Sequence, residues 1–207
     1  MRSAQIQRNT NETRIQLSIN LDGRGQYENK TGVGFLDHML DLFARHGRFD
    51  LRVHCAGDTW VDDHHTVEDV GIALGTAMRE ALGDMKGIVR YGTMLLPMDE
   101  ALVLCAVDVS GRAALGWAMD IPSAKVGTFD TELAKEFWLA LSRTLGASIH
   151  FRQLAGENSH HIIEAMFKGA GRALKQAVAI DREYADEVPS TKGVLSGERG
   201  EELCWPS

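Results

Sequence analysis

An α+β fold built by internal duplication is what this 207-residue sequence predicts, and three observations carry that reading. Residues 62–69 read DDHHTVED and residues 157–164 read ENSHHIIE, so His64, His65 and Glu68 recur as His160, His161 and Glu164, 96 positions on (160 minus 64). The segments NETRIQLSINLDGR and DEALVLCAVDVSGR also align, Glu12 falling on Glu100 at an offset of 88. Finally, one order of elements, strands then helix then strand then helix, is legible twice along the chain.

In the first copy, residues 13–23 alternate apolar Ile15, Leu17, Ile19 and Leu21 with polar neighbours, the period of a half-buried strand, and end on an Asp-Gly turn. Residues 34–47 put Leu36, Met39, Leu40 and Phe43 at helical spacing and stop at Gly47. Alternation returns over 48–55. From Asp62 to about Leu82, an apolar stripe of Val67, Val70, Leu74, Met78 and Ala81 predicts a second helix, with Asp62 or Asp63 as its N-cap. In the second copy, residues 100–112 read as strand and turn and 112–119 as the hairpin partner of that strand. A helix follows over about 131–145, a strand over 147–154 and a helix over about 159–178. The larger offset of the second histidine pair requires about eight extra residues in this copy, around PSAKVGTFD. The repeats are placed at 1–87 and 88–195, together forming one compact domain, with the aperiodic, charged segment 196–207 expected to be a mobile tail.

Composition bounds the function. A hydrophobic fraction of 44% supports a real core, and a net charge of −7 argues against a protein that works by neutralising nucleic-acid phosphates. Cys55, Cys105 and Cys204 are odd in number and widely spaced, which suits neither a disulfide framework nor a zinc CxxC pair and fits a reducing compartment. There is no apolar leader core and no apolar run near the roughly 18 residues that span a bilayer, so the expectation is a cytoplasmic protein without nucleic-acid or membrane partners.

The repeated histidines point to chemistry. On a helix, His64 and Glu68 stack at i and i+4 while His65 and Glu68 are neighbours at i and i+3; the two histidines themselves diverge by about 100°. Each pair is therefore expected to serve two different ions. Imidazole with carboxylate suits Mn, Fe or Zn, and two copies provide six ligands, enough for two metals if each ion takes groups from both repeats; His38 is a seventh. The flanking helix sequence has diverged, DVGIALGTAM becoming AMFKGAGRAL, while His, His and Glu persist. What survives divergence is the ligand set.

Four motifs in order, GVGFLDHMLDLFARHG, DDHHTVEDVGIALG, RQLAGENSHHIIEAMFKGAGRAL and PSTKGVL, closely resemble the imidazoleglycerol-phosphate dehydratase family over about residues 2–195. The resemblance implies a ribosomal protein S5 domain 2-like duplication with mixed sheets packed on a helical layer. It further implies two Mn²⁺ ions per active site and self-association to a 24-mer with active sites at subunit interfaces. Carried over by position, the metal ligands are His38, His64, His65, Glu68, His160, His161 and Glu164. Some relatives have a further histidine where this chain has Glu136; a carboxylate can replace imidazole on Mn²⁺, so Glu136 is retained as a ligand.

The implied reaction removes water from imidazole glycerol phosphate to give imidazole acetol phosphate, in histidine biosynthesis. The hydrogen lost lies beside no carbonyl, so the substrate's own imidazole must act as the electron sink, through a diazafulvene-like intermediate. The metals act as Lewis acids and as a template. An acid for the departing hydroxyl and a base for the carbon proton are still needed. The family motif places Glu12 there, also in contact with substrate, with Glu164 and Asp99 as further catalytic candidates. Arg90, Arg112, Lys168, Ser190 and Lys192 fall on the family's phosphate-binding positions, where guanidinium forks match phosphate. Two other classes use similar inventories. A dimetal hydrolase would turn over phosphoesters or amides without needing a substrate imidazole, and a helical-bundle metal store would have long helices and few strands.

Overall fold

Two hairpins with the same register frame the molecule. The computed structural model describes residues 2–193 and 195; the expected mobile tail and Cys204 lie outside the described residues. In the first repeat, β1 (Ser3–Asn9) pairs antiparallel with β2 (Thr13–Asn20), with Ser3 opposite Asn20 and Ile6 opposite Leu17. In the second, β5 (Tyr91–Met98) pairs with β6 (Ala101–Asp108), with Tyr91 opposite Asp108 and Met94 opposite Cys105. The 88-residue offset thus extends over the whole hairpin. Each sheet is completed by two more strands. The first has the order β1-β2-β4-β3, where β3 (Tyr27–Lys30) runs parallel to β4 (Asp50–Gly57). The second has the order β5-β6-β10-β7, where β7 (Ala114–Ala118) runs parallel to β10 (Ser148–Ala155). The topologies are identical, as duplication requires.

The structure corrects one sequence expectation and adds two features. β1, β3 and β5 carry too little apolar alternation to be read from sequence; β1 exposes every other residue and only half-buries the rest, so packing supplies what periodicity lacks. Residues 114–118 are not the hairpin partner of β6. That partner is β5, and β7 is instead an edge strand added in parallel to β10. The eight or so extra residues form a small hairpin of their own, β8 (Lys125–Val126) with β9 (Phe129–Asp130).

The helices among the described residues are α1 (Gly34–Gly47), α2 (His64–Leu82), α3 (Leu133–Leu145) and α4 (Ser159–Ala177), close to the spans expected. α1 and α2 pack on the first sheet, α3 and α4 on the second, and the layers meet as α2 against α3 and α1 against α4. One buried apolar cluster draws on both copies: Ile15, Leu17 and Val53 from the first sheet, Val103, Ile149 and Phe151 from the second, and Phe43, Leu74, Trp138 and Phe167 from the helices between. The helix crossings are themselves duplicated. A Cβ on Gly75 would stand 2.6 Å from the Leu141 carbonyl oxygen, and one on Gly171 2.6 Å from that of Phe43. Backbones approach this closely only where a residue lacks a side chain. Because Phe43 and Leu141 are thus equivalent, so are His38 and Glu136, each five residues before its crossing point.

Candidate active site

The N-terminal turns of α2 and α4 present the repeated residues. α4 begins sharply because the side chain of its N-cap, Asn158, accepts from the backbone N–H groups of His160 and His161. At α2 the boundary residue is Asp63, but the hydrogen bond comes from Asp62, whose Oδ1 accepts from His64 N–H at 2.8 Å. Both starts throw their adjacent imidazoles apart in the same way: ring centroids are 6.2 Å apart in each pair, at 87° for His64–His65 and 77° for His160–His161.

The first histidine of each pair turns to its own helix. His160 Nε2 is 3.1 Å from Glu164 Oε2, and His38 Nε2, from α1, is 3.6 Å from the same oxygen. The donor atoms of His38, His160 and Glu164 all lie within 4.8 Å of one another. Two imidazole nitrogens and a carboxylate oxygen converging so closely fit a divalent ion of N/O preference after small side-chain adjustments. Glu164 is nearly buried, which alone would raise its pKa, but the Lys168 ammonium bonded to it and the neighbouring His160 hold it below the usual carboxylate range. The corresponding pair in the first repeat, His64 Nε2 and Glu68 Oε2, stands 3.6 Å apart. Glu136, in the place equivalent to His38, makes no hydrogen bond or ion pair with any described residue.

The second histidine of each pair turns to a strand connection. His65 lies between Asp58, 3.0 Å from Nδ1, and Glu12, 3.7 Å from Nε2. His161 lies between Glu100, 2.7 Å from Nδ1, and Asp99, 3.6 Å from Nε2. Hydrogen bonds from His161 and from the Asn158 N–H hold the Glu100 carboxyl down at about 2, and its partner raises His161. Asp99 sits at φ 48°, a left-handed backbone that a non-glycine residue rarely adopts. Asp69, almost fully buried, accepts from Arg8 Nη2 at 2.7 Å and from Thr13 Oγ1 at 2.5 Å, tying the turn that carries Glu12 to α2. Asp58 and Asp69 escaped sequence reasoning because neither has a counterpart in the second copy, and Glu100 was visible only as the partner of Glu12.

Three of the phosphate candidates, Arg90, Ser190 and Lys192, lie together elsewhere. Arg90 precedes β5, forks onto Asp108 (2.7 Å from Nε to Oδ1) and donates from Nη1 to the Pro189 carbonyl at 2.8 Å. That contact brings the 189–192 loop to it, where Ser190 Oγ accepts from the Lys192 N–H at 3.1 Å. Arg112 is exposed, and Lys168 stands apart from these, beside Glu164. Asp99 follows β5 at its far end. An extended run from residue 90 to residue 99 spans roughly 30 Å.

Comparison with known proteins shows which family the chain resembles. The family profile described as imidazoleglycerol-phosphate dehydratase matches residues 31–174. The chain is 58% identical over 195 residues to the imidazoleglycerol-phosphate dehydratase of a Jannaschia species and 60% identical to that of Roseobacter denitrificans, covering in each case 94% of this chain and 100% of the relative. It superposes on the Staphylococcus aureus enzyme with a TM-score of 0.79 at 42% identity, covering 86% of this chain and 99% of that one. For the Pyrococcus furiosus enzyme the TM-score is 0.80 at 42% identity, covering 92% and 100%. The hydrolase alternative finds no support among these matches, and the ten strands among the described residues count against a helical-bundle store. The chain belongs to the imidazoleglycerol-phosphate dehydratase family, and it is a hydro-lyase that dehydrates imidazole glycerol phosphate in histidine biosynthesis.

Proposed function

We propose that the dehydration uses two Mn²⁺ ions per active site, held by His38, His64, His65, Glu68, Glu136, His160, His161 and Glu164. The observation that carries this is the convergence of His38, His160 and Glu164 donor atoms within 4.8 Å, together with the recurrence of the His–His–Glu set in the other repeat. Bound there, the ions supply Lewis acidity toward the substrate imidazole and fix its orientation. The chain's own carboxylates move the protons. Glu12, exposed on its turn and held only loosely by His65, exchanges a proton with substrate and contacts it; Asp99 and Glu164 are the further acid and base candidates. Arg90, Arg112, Lys168, Ser190 and Lys192 bind the phosphate.

Self-association to a 24-mer, with sites at subunit interfaces, belongs to the same reading. Arg90 and the Asp99/His161 group lie at opposite ends of one strand, roughly 30 Å apart if extended, far more than one small substrate reaches. A complete site therefore draws these groups from different copies of the chain. Cytoplasmic location is proposed from the cysteine pattern, Cys55 and Cys105 forming no disulfide among the described residues.

The deciding experiment strips metal with a chelator and follows formation of imidazole acetol phosphate as Mn²⁺ is returned, with light scattering in parallel. Activity is expected to vanish and return with Mn²⁺, and particle mass to rise from small oligomers toward 24 chains. A metal-free, fully active preparation overturns the metal reading, and a monomer fully active in Mn²⁺ overturns the assembly.

A further inference from the structure

His65 and His161 occupy matching positions and are gripped alike. In each, Nδ1 lies within hydrogen-bond distance of a carboxylate, Asp58 at 3.0 Å or Glu100 at 2.7 Å, while Nε2 faces a second carboxylate farther off, Glu12 at 3.7 Å or Asp99 at 3.6 Å. The residues that do this are not equivalent. Glu12 and Glu100 fill the same place in the two hairpins, yet Glu12 stands on the Nε2 side of its histidine and Glu100 on the Nδ1 side of its own. Asp58, from the β4–α2 connection, takes the Nδ1 side in the first copy, and Asp99, from the β5–β6 turn, takes the Nε2 side in the second. The surroundings of the imidazole match although the chain positions that supply them do not. Simple inheritance through duplication would have left the same residue in the same role.

From this we infer that Asp58 and Glu100 are positioning residues: by accepting the Nδ1–H of His65 and of His161, they hold each ring in the tautomer and orientation that leave Nε2 bare for a divalent cation. The inference rests on the proposed ligand role of these two histidines. An ionised carboxylate only accepts, so the ring nitrogen facing it must carry the hydrogen, and in a neutral imidazole the lone pair then resides on the other nitrogen. Both carboxylates are themselves anchored. Asp58 is 8% exposed and its backbone N–H donates to the Glu12 carbonyl at 3.1 Å. Glu100 Oε1 accepts from the backbone N–H groups of Asn158 at 2.9 Å and Glu157 at 3.3 Å. Each grip thus couples a proposed ligand to the segment bearing a proposed acid or base.

The test compares Asp58→Asn and Glu100→Gln with His65→Ala and His161→Ala in the full chain, stripped of metal and titrated with Mn²⁺ against a competing chelator. An amide keeps the size of the carboxylate but offers an N–H to Nδ1, which favours hydrogen on Nε2. Mn²⁺ affinity in the two amide variants is expected to fall by about 10- to 100-fold. Nitrogen-15 shifts of the histidine rings in the stripped protein are expected to show Nδ1–H at positions 65 and 161 in the unaltered chain and Nε2–H in the variants. If the alanine variants lose metal while the amide variants keep unaltered affinity, the positioning role is wrong and the ligand reading stands. If the alanine variants keep full affinity, the ligand reading itself fails. Nε2–H at both rings of the unaltered protein overturns the inference without recourse to any variant.

Discussion

Arg2 and Arg90 stand at the same point of two hairpins that share a register, one residue before β1 and one before β5, and they are held differently. Arg2 forks onto Asp22, beyond the end of β2, and reaches the Val178 carbonyl. Arg90 forks onto Asp108, the last residue of β6, and reaches the loop that carries Ser190 and Lys192. The glutamates at the other end of these hairpins diverge in the same way: Glu12 is left exposed and loosely paired, while Glu100 is bound to His161 and to two backbone N–H groups. Duplication supplies two hairpins of one register, and what each position does depends on which neighbour its side chain meets. Chemistry therefore has to be assigned position by position.

The largest effect should come from the feature that both copies keep. Replacing His64 and His65 by alanine, or His160 and His161, is expected to abolish turnover and to lower bound metal in either case, read by product formation and elemental analysis. Retention of activity by one of the two double variants would show that the copies are not equal contributors of ligands.

Next comes the glutamate that duplication left free. Glu12→Gln keeps shape and hydrogen-bonding reach but removes basicity, so kcat is expected to fall by roughly 10²- to 10⁴-fold while metal and substrate binding persist. Near-normal turnover would remove Glu12 from proton transfer and shift that role to Glu164 and Asp99. Loss of metal together with activity would instead make Glu12 a ligand.

The duplicated helix crossings predict a change of stability rather than of chemistry. Alanine at Gly75 or at Gly171 forces a methyl against a carbonyl oxygen 2.6 Å away, so each should destabilise the fold by about 1–3 kcal/mol in denaturant unfolding. A neutral result at either crossing would mean that its helices can separate without cost and that the two interfaces are not equivalent.

The smallest effect belongs to the Arg2–Asp22 pair. The hydrogen bond from Arg2 outweighs the cost of burial and holds the Asp22 carboxyl below its ordinary value of 3.8. The pair's contribution is thus fully present above about pH 4 and fades as pH falls through the lowered value. Asp22 is 44% exposed, so solvent screening limits the contribution to no more than about 0.5 kcal/mol. Asp22→Asn should flatten the acid limb of the stability curve by that amount and leave activity at neutral pH unchanged; a loss of activity at neutral pH would show that this end of the first hairpin also serves the site.

By itself the sequence determined the duplication, the helices of the described residues and the recurrence of the His–His–Glu pattern, because each is written in local spacing: apolar residues at helical intervals, and histidines and glutamate repeated at a fixed offset. It also showed Glu12 and Glu100 as counterparts. Only the tertiary structure decided that residues 114–118 join β10 rather than β6, because a parallel edge pairing leaves no turn signal in the sequence. It likewise decided that His38 meets His160 and Glu164 across the α1–α4 contact, and that Asp58 and Glu100 grip the second histidines. Those contacts join residues up to 126 positions apart (164 minus 38), and their partners are set by how helices cross and where turns fall, which no local period records.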